Sequence, residues 1–331
     1  MPTRATLDNP AMHANPSTLR AHQFAGLATD GPKLIVLGAV HGNETCGTRA
    51  IERVLAEIDS GALRIERGLL TLVPVANPLA YAKGERRGER NLNRQLLPNA
   101  APRDFEDPVA NLLCPWLAAH DVLLDLHSFN SPGRPFVMRG PADNTDALEP
   151  FAHAAAEGKF AAHLGPTRIV EGWMSAYAQG AARRRERGGA EDTDPSYGIG
   201  TTEYLRAQGG YGVTLECGQH LDPAAPEVGY RAIRQAIALL GLADIALAPP
   251  AAEFECLQLT EVVDRQHVDD RFVRSWRSFD AVHAGEHVGE RHDGTPVIAR
   301  ADGHIVFPDE RALPGHEWFY FAQASDHPLI P

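Results

Sequence analysis

The sequence predicts an α/β protein whose mostly parallel or mixed central sheet carries helices on both faces, followed by a small C-terminal all-β domain. Short apolar runs alternate with segments of helical periodicity, as in a parallel sheet joined by crossover helices. The apolar runs lack the alternation of a half-exposed strand, so we expect both of their faces to be covered. In the C-terminal part of the chain the helical segments stop, and only turn-punctuated strands follow.

The elements follow in a simple order along the chain. Four apolar runs are predicted as buried strands: KLIVLGAV (33–40), LLTLVPVAN (69–77), DVLLDLHSF (121–129) and YGVTLECG (211–218). Three segments between and after them have helical periodicity: NETCGTRAIERVLAEID (43–59), DFEDPVANLLCPWLAAH (104–120) and PEVGYRAIRQAIALLGL (226–242). Asn43 is the predicted N-cap of the first helix. The polar, glycine-rich residues 178–200 are predicted to form a long surface loop.

A change in composition predicts two domains. The segment ALAPPAAE (246–253) has the composition of a linker. Behind it, FECLQLTEVV, TPVIARADGHIVFP and EWFYFAQA are strand-like and separated by turn residues. We therefore expect an α/β domain over residues 1–247 and a small β domain over residues 254–331.

Composition and charge exclude several function classes. The 331 residues carry a formal net charge of -12, which disfavours nucleic acid or an anionic membrane as the main partner. Residues 1–20 lack the apolar core of a signal peptide, and no run reaches the roughly 18–20 apolar residues of a membrane span. The four cysteines are scattered, as expected for reduced thiols. We expect a cytoplasmic protein.

Metal-ligating residue types occur where two predicted strands end. His41 and Glu44 follow the first strong strand, and His127 lies at the end of DVLLDLH. Ligands of open α/β sheets gather at the carboxyl ends of strands, and a catalytic zinc needs three protein ligands and one open position. Asp125 could orient a ligand from the same strand face. The alternative is that His41 and Glu44 cap a helix and that His127 is a buried histidine.

A carboxylate and an arginine cluster complete the candidate chemistry. Glu216 lies inside the otherwise apolar strand VTLECG, where an ionised carboxylate needs compensation from a metal or from an ion-pair partner. Arg86, Arg87, Arg90 and Arg94 concentrate positive charge in the segment AKGERRGERNLNRQL. For Arg87 and Arg90 a solvated loop is the simpler interpretation.

Four short motifs resemble the succinylglutamate desuccinylase/aspartoacylase family, a branch of the zinc carboxypeptidase-like fold. They are HGNE (41–44), Asn77-Pro78 followed by Arg86 and NLNR (91–94), DLHS (125–128) and TLECG (214–218). The resemblance covers roughly residues 33–245. It departs from the family pattern at Asn91, where the family usually has Asp.

The resemblance implies a role for each matching residue. His41, Glu44 and His127 would bind one Zn²⁺ per chain, Arg86 would polarise the scissile carbonyl, Asn93 and Arg94 would bind the substrate carboxylate, and Glu216 would be the general acid/base. The implied activity is hydrolysis of the amide bond of a small anionic N-acyl amino acid. Tyr197, Tyr204 and Arg183 to Arg185 are candidates for binding the acyl group.

Two other functions remain open at this point. A zinc carboxypeptidase with the same metal site would act on short peptides. A non-catalytic zinc-binding protein, in a regulatory or carrier role centred on the β domain, is the alternative from another class. Lys33, Lys83 and Lys159 are the only lysines of the chain, so the β domain has none to carry a lipoyl or biotinyl group.

Overall fold

A computed structural model describes residues 4–8, 19–188, 193–327 and 329. In these residues the strands are β1 (Arg4–Asp8), β2 (Arg20–Ala25), β3 (Ala28–Leu37), β4 (Arg67–Val73), β5 (Val122–Phe129), β6 (Phe136–Met138), β7 (Arg168–Glu171), β8 (Tyr211–Gln219), β9 (Glu255–Asp264), β10 (Arg271–Phe272), β11 (Ala281–Val282), β12 (His287–Glu290), β13 (Pro296–Ile298), β14 (Gly303–Val306) and β15 (Glu317–Ala324). The helices are α1 (Cys46–Asp59), α2 (Pro78–Lys83), α3 (Glu106–Ala118), α4 (Ala154–Ala162), α5 (Trp173–Glu186), α6 (Thr201–Ala207) and α7 (Ala225–Leu239).

A twelve-stranded mixed sheet organises the molecule. Its strand order is β1-β2-β4-β3-β5-β8-β6-β7-β9-β15-β14-β11. The central strands β4, β3, β5 and β8 are parallel, and they contain the four apolar runs predicted as strands. The predicted mixed, mostly parallel sheet is thus confirmed.

Helices cover both faces of the parallel centre. Leu34 and Val36 of β3 face the cluster that holds α1 and α7, whereas Ile35 and Leu37 face the cluster that holds α3 and α6. This alternation along one strand explains why its sequence is continuously apolar, since each face buries its own side chains.

Helix α1 begins later than the sequence predicts. Its N-cap is Thr45, not Asn43, because residues 41–44 form a separate turn that the Glu44 amide closes by donating to the His41 carbonyl. The turn packs closely on α2: a Cβ at Gly42 would lie 1.9 Å from the backbone carbon of Ala80. Glycine is therefore required there for the turn to reach its position.

The C-terminal strands continue the main sheet and also form a second one. Strand β9 pairs with β7 in parallel, and β15, β14 and β11 extend the sheet beyond it. A small antiparallel sheet, in the order β10-β12-β13, lies beside them. The predicted C-terminal β structure is confirmed, while its division from the rest as a domain of residues 254–331 stays a prediction.

The prediction of a long loop over residues 178–200 is wrong for the first part of that range. Helix α5 continues to Glu186, and Pro195–Gly198 form a short 3₁₀ helix, while residues 189–192 lie outside the described part of the chain. The helix is stabilised by a buried ion pair between Arg184 and Asp264 of β9, a contact that local composition does not reveal. Among the described residues, no helix is long and apolar enough to cross a membrane.

Candidate active site

His41, Glu44 and His127 converge at the carboxyl ends of β3 and β5. All three side chains are buried, and one ligand atom from each lies within 4.8 Å of the others. The Nδ1 atoms of His41 and His127 lie 2.9 Å from Oε1 and Oε2 of Glu44, respectively. Two imidazole nitrogens and one carboxylate that face a common point are a typical donor set for zinc.

The outer nitrogen of each imidazole faces a side-chain oxygen. Nε2 of His41 lies 3.0 Å from Oδ1 of Asn91, which also accepts a hydrogen bond from the backbone N–H of Asn93. Because Oδ1 is the acceptor, a hydrogen bond at this contact requires the proton of a neutral His41 ring on Nε2, and Nδ1 then has a lone pair. Nε2 of His127 lies 2.9 Å from Oδ2 of Asp125, an ion-pair distance without hydrogen-bond angles.

Burial and mutual contacts shift the pKa values of the three groups. Burial, with the nearby Arg86 charge, lowers the pKa of His41 to about 4, so its ring is neutral at pH 7. Burial also opposes charge on the other two groups. Nevertheless, Asp125 and Glu44 raise the pKa of His127 well above its usual value, and the two histidines hold the pKa of Glu44 well below its usual range.

Arg86 contacts the same cluster from the solvent side. Its Nη1 donates to Oε1 of Glu44 at 2.9 Å and lies 3.3 Å from Nδ1 of His41. The side chain is 52% exposed, in contrast to its buried partners. A guanidinium at this position can reach both the cluster and a ligand in the adjoining cavity.

Glu216 lies beside His127 on the neighbouring strand, because the two residues are in register between β5 and β8. It is buried, and its Oε2 has no hydrogen-bond partner among the described residues. Burial outweighs the attraction of His127 and raises the pKa of Glu216 to about 8. A buried carboxyl group with an unused oxygen is costly unless a ligand or a metal contacts it.

Asn93 and Arg94 are each in contact with other parts of the chain. Oδ1 of Asn93 accepts from the backbone N–H of Thr201 at 3.0 Å. The Arg94 guanidinium lies 4.7 Å from the ring centroid of Trp173, and its Nη1 donates to the Asn93 carbonyl. Its Nη2 lies 3.6 Å from Oε1 of Glu317.

These groups share one cavity of about 450 Å³. His41, His127, Arg86, Glu216, Asn93 and Arg94 all contribute to its lining. Glu44, the third predicted metal ligand, is not in the lining, because it lies behind the two imidazole rings it contacts. The volume is within the range of small-molecule sites in proteins.

A family profile matches the part of the chain that carries this site. Residues 30–134 match the succinylglutamate desuccinylase/aspartoacylase catalytic domain. The matched range contains His41, Glu44 and His127. This part of the chain is therefore similar to that catalytic domain, and the match includes the candidate metal cluster.

Structures similar to the whole chain carry related names. A succinylglutamate desuccinylase/aspartoacylase from Rhodobacter sphaeroides is 18% identical with a TM-score of 0.71, and the match covers 98% of this chain and 95% of that one. The product-bound ectoine utilization protein EutE (DoeB) from Ruegeria pomeroyi is also 18% identical with a TM-score of 0.71, and the match covers 97% of this chain and 95% of that one. Succinylglutamate desuccinylase from Vibrio cholerae is 18% identical with a TM-score of 0.70, and the match covers 100% of this chain and 95% of that one. At this identity the likeness establishes a shared fold. No curated protein matches the chain by sequence.

The positions of the acyl-binding candidates and of one residue of the arginine cluster differ from what the sequence predicts. The candidates Tyr197, Tyr204 and Arg183 to Arg185 do not line the cavity. Arg90 is not in a solvated loop: its guanidinium donates to Asp104 and Asp107. Arg87 is exposed, as predicted.

Strand β15 and helix α5 supply cavity residues that the sequence motifs do not identify. Glu317, Tyr320 and Trp173 line the cavity, although all three are distant in sequence from the matched motifs. The available signal was a carboxylate at the edge of the apolar run EWFYF, the same kind of signal that identified Glu216.

Proposed function

We propose that this chain is a zinc-dependent hydrolase that cleaves the amide bond of a small N-acyl amino acid. The observation that carries the proposal is the position of Glu216, a buried carboxyl group with an unpaired oxygen beside a His-Glu-His cluster in a cavity of small-molecule size. The desuccinylases and aspartoacylases of the family are hydrolases. The match of residues 30–134 to their catalytic domain therefore favours hydrolysis over other uses of such a site.

The residues present fit a single zinc ion. His41, Glu44 and His127 would hold it through Nδ1, a carboxylate oxygen and Nδ1, because these atoms already lie within 4.8 Å of one another. Both imidazole rings have an oxygen beyond their outer nitrogen, as metal-binding histidines usually do. Three protein ligands leave one position open, which is typical of catalytic zinc rather than structural zinc.

Glu216 would perform the proton transfers. A bound zinc ion would polarise a carbonyl group and would supply a water nucleophile that ionises near neutral pH. A cation bound beside Glu216 would favour its ionised form, despite the pKa of about 8 that burial produces. Glu216 would then accept the proton of the attacking water and pass it to the departing nitrogen, through an oxygen that has no other hydrogen-bond partner among the described residues.

The arginines would position the substrate and stabilise charge. Arg86 would donate a hydrogen bond to the scissile carbonyl oxygen, where negative charge develops during attack. Arg94 would bind the α-carboxylate, since its guanidinium lies in the cavity wall and is oriented by the Trp173 ring. Asn93 would position Arg94 through its backbone carbonyl.

The same features weigh against the two alternatives. A cavity of about 450 Å³, lined on one side by the C-terminal strands, suits a small amide better than an extended peptide. A non-catalytic zinc protein would have no use for an unpaired buried carboxyl group at Glu216.

The decisive experiment is a deacylation screen of the zinc-loaded protein against N-acetyl and N-succinyl amino acids and short peptides. We expect release of the free amino acid from at least one acyl amino acid, with chelator-sensitive turnover. Peptide cleavage without deacylation would replace the proposal with the carboxypeptidase alternative. Stoichiometric zinc without any turnover would favour the non-catalytic alternative.

We also propose that the enzyme is cytoplasmic. Its cysteines Cys46, Cys114, Cys217 and Cys256 are all free in the structure, as is usual in a reducing compartment.

A further inference from the structure

Beside Arg94, the cavity wall contains a side chain of opposite charge, that of Glu317, the first residue of β15. The Glu317 side chain is 24% exposed and lines the cavity. Arg94 and Arg184 outweigh the effect of burial and lower its pKa, so Glu317 is ionised at neutral pH. A negative and a positive side chain therefore lie side by side in the same wall.

The ion pair between Arg94 and Glu317 is too long to include a hydrogen bond. The closest approach between Arg94 Nη2 and Glu317 Oε1 is 3.6 Å, which is longer than a hydrogen bond. The second arginine near Glu317, Arg184, lies 3.9 Å away and donates two hydrogen bonds to Asp264 instead. Glu317 thus retains acceptor capacity for a ligand.

Tyr320 provides a second unused polar group in this wall. It is buried and lines the cavity, and its hydroxyl has no hydrogen-bond partner among the described residues. Burial and the Glu317 charge raise its pKa well above the usual value, so the hydroxyl stays protonated. A polar ligand atom in the cavity would supply the partner that this hydroxyl lacks.

The pair discriminates between classes of ligand. A ligand with a carboxylate alone would approach Arg94 but would meet the Glu317 carboxylate a few ångströms away. A ligand with both charges would complement both side chains. In an N-acyl amino acid the α-nitrogen is an uncharged amide, so the positive charge must be in the side chain.

We propose that Arg94 and Glu317 form a subsite for a ligand with both charges, and that this chain prefers Nα-acyl amino acids whose short side chain ends in an ammonium group. Arg94 binds the α-carboxylate and Glu317 binds the ammonium. The 3.6 Å separation favours a side chain of few carbons, because the two charges of the ligand must lie close together. This inference rests on the proposed deacylase function, and it replaces the small anionic substrate expected from the sequence with one of no net charge.

Three matched substrates test the inference. Nα-acetyl-L-ornithine, Nα-acetyl-L-norleucine and N-acetyl-L-2-aminoadipate have side chains of similar length that are cationic, neutral and anionic. We expect kcat/KM of the zinc-loaded protein to be highest for the ornithine compound, by about 10- to 100-fold, as is typical of a hydrogen bond to a charged group. Equal values, or a preference for either other substrate, would overturn the inference.

A variant pair assigns the preference to Glu317. Glu317→Gln should lower the ornithine-to-norleucine ratio of kcat/KM by about 10- to 100-fold, mainly through KM. Glu261→Gln is the matched control, since Glu261 is also 24% exposed and faces Arg183 at 3.8 Å but does not line the cavity. An unchanged ratio in Glu317→Gln would refute the assignment.

Binding measurements separate this inference from the proposed function. Calorimetry should show that free L-ornithine binds the wild-type protein more tightly than L-norleucine does, and that Glu317→Gln removes the difference. If no acyl compound is hydrolysed but this difference in binding is present, the deacylase proposal fails and the subsite stands. If deacylation occurs without any side-chain preference, the subsite fails and the deacylase proposal stands.

Discussion

Nε2 of His41 lies 3.0 Å from Oδ1 of Asn91, so a neutral amide orients this imidazole where the resemblance of the sequence motifs leads us to expect an aspartate. In a neutral His41 ring this contact requires the proton on Nε2, so that Nδ1 keeps a lone pair that can bind a metal. An amide accepts a weaker hydrogen bond than a carboxylate does, and it adds no negative charge to the site.

Replacing Asn91 should therefore change metal affinity without removing a ligand. We expect Asn91→Leu to weaken zinc binding by roughly 10- to 100-fold, and Asn91→Asp to match or exceed the wild-type affinity. Competition with a chromogenic chelator measures both. Equal affinity in Asn91→Leu and the wild type would mean that Asn91 does not orient His41.

Removal of the ligands themselves should abolish the site. The wild-type protein is expected to contain about one zinc per chain by elemental analysis, and His41→Ala and His127→Ala should each lose it, because two remaining ligands do not form a stable site. His283→Ala, which alters an exposed histidine far from the cluster, is the control. Stoichiometric zinc in the His41→Ala/His127→Ala double variant would disprove the ligand assignment.

Glu216→Gln should separate metal binding from chemistry. The variant should keep its zinc and its fold, while turnover falls by roughly 10²- to 10⁴-fold, since the amide cannot accept the proton of the attacking water. Zinc analysis and kcat on the best substrate of the screen are the two measurements. Loss of zinc in this variant would identify Glu216 as a ligand, and near-normal kcat would remove it from the mechanism.

The parts of the site that the sequence predicts are those with local signals. His41, Glu44, His127 and Glu216 each lie in or directly after an apolar strand, where a polar residue stands out, and the parallel register of the strands brings them together. The parallel centre of the sheet is predictable for the same reason.

The remaining parts depend on contacts between distant segments. Arg94 meets Glu317 only because β15 pairs with β9 at one side of the main sheet, and no local pattern specifies that pairing. The polar, glycine-rich composition of residues 178–200 predicts a loop, yet helix α5 continues to Glu186, and Arg184 in it is buried against Asp264. Tertiary ion pairs of this kind override local composition.

Arg86 should affect zinc affinity and turnover in opposite directions. Its Nη1 donates to Oε1 of Glu44, the carboxylate proposed to bind zinc, so the guanidinium and a zinc ion would compete for the same oxygen. We expect Arg86→Ala to bind zinc more tightly than the wild type, yet to lose roughly 10²- to 10³-fold in kcat because the scissile carbonyl loses a donor. Arg87→Ala, a neighbouring exposed arginine, should change neither quantity. Weaker zinc binding in Arg86→Ala would argue against the competition.

The buried carboxylate of Asp270 should make the C-terminal strands sensitive to acid. Burial opposes its charge, but hydrogen bonds from Arg291 and from the backbone N–H groups of Gln266 and His292 lower the pKa of Asp270 to about 2. Because this pKa is lower in the folded chain than in the unfolded chain, the carboxylate stabilises the fold above pH 4 or so. That contribution is lost as the pH falls towards about 2.

Asp270→Asn should accordingly destabilise the protein by about 2 kcal/mol at pH 7, and the difference from the wild type should narrow to about 1 kcal/mol near pH 3. Urea unfolding followed by tryptophan fluorescence measures it, because Trp318 packs beside this region. Asp269→Asn is the control, since Asp269 is 76% exposed and its loss should cost little at either pH. A difference between the wild type and Asp270→Asn that stays constant from pH 7 to pH 3 would show that packing, rather than the charge of Asp270, accounts for its effect.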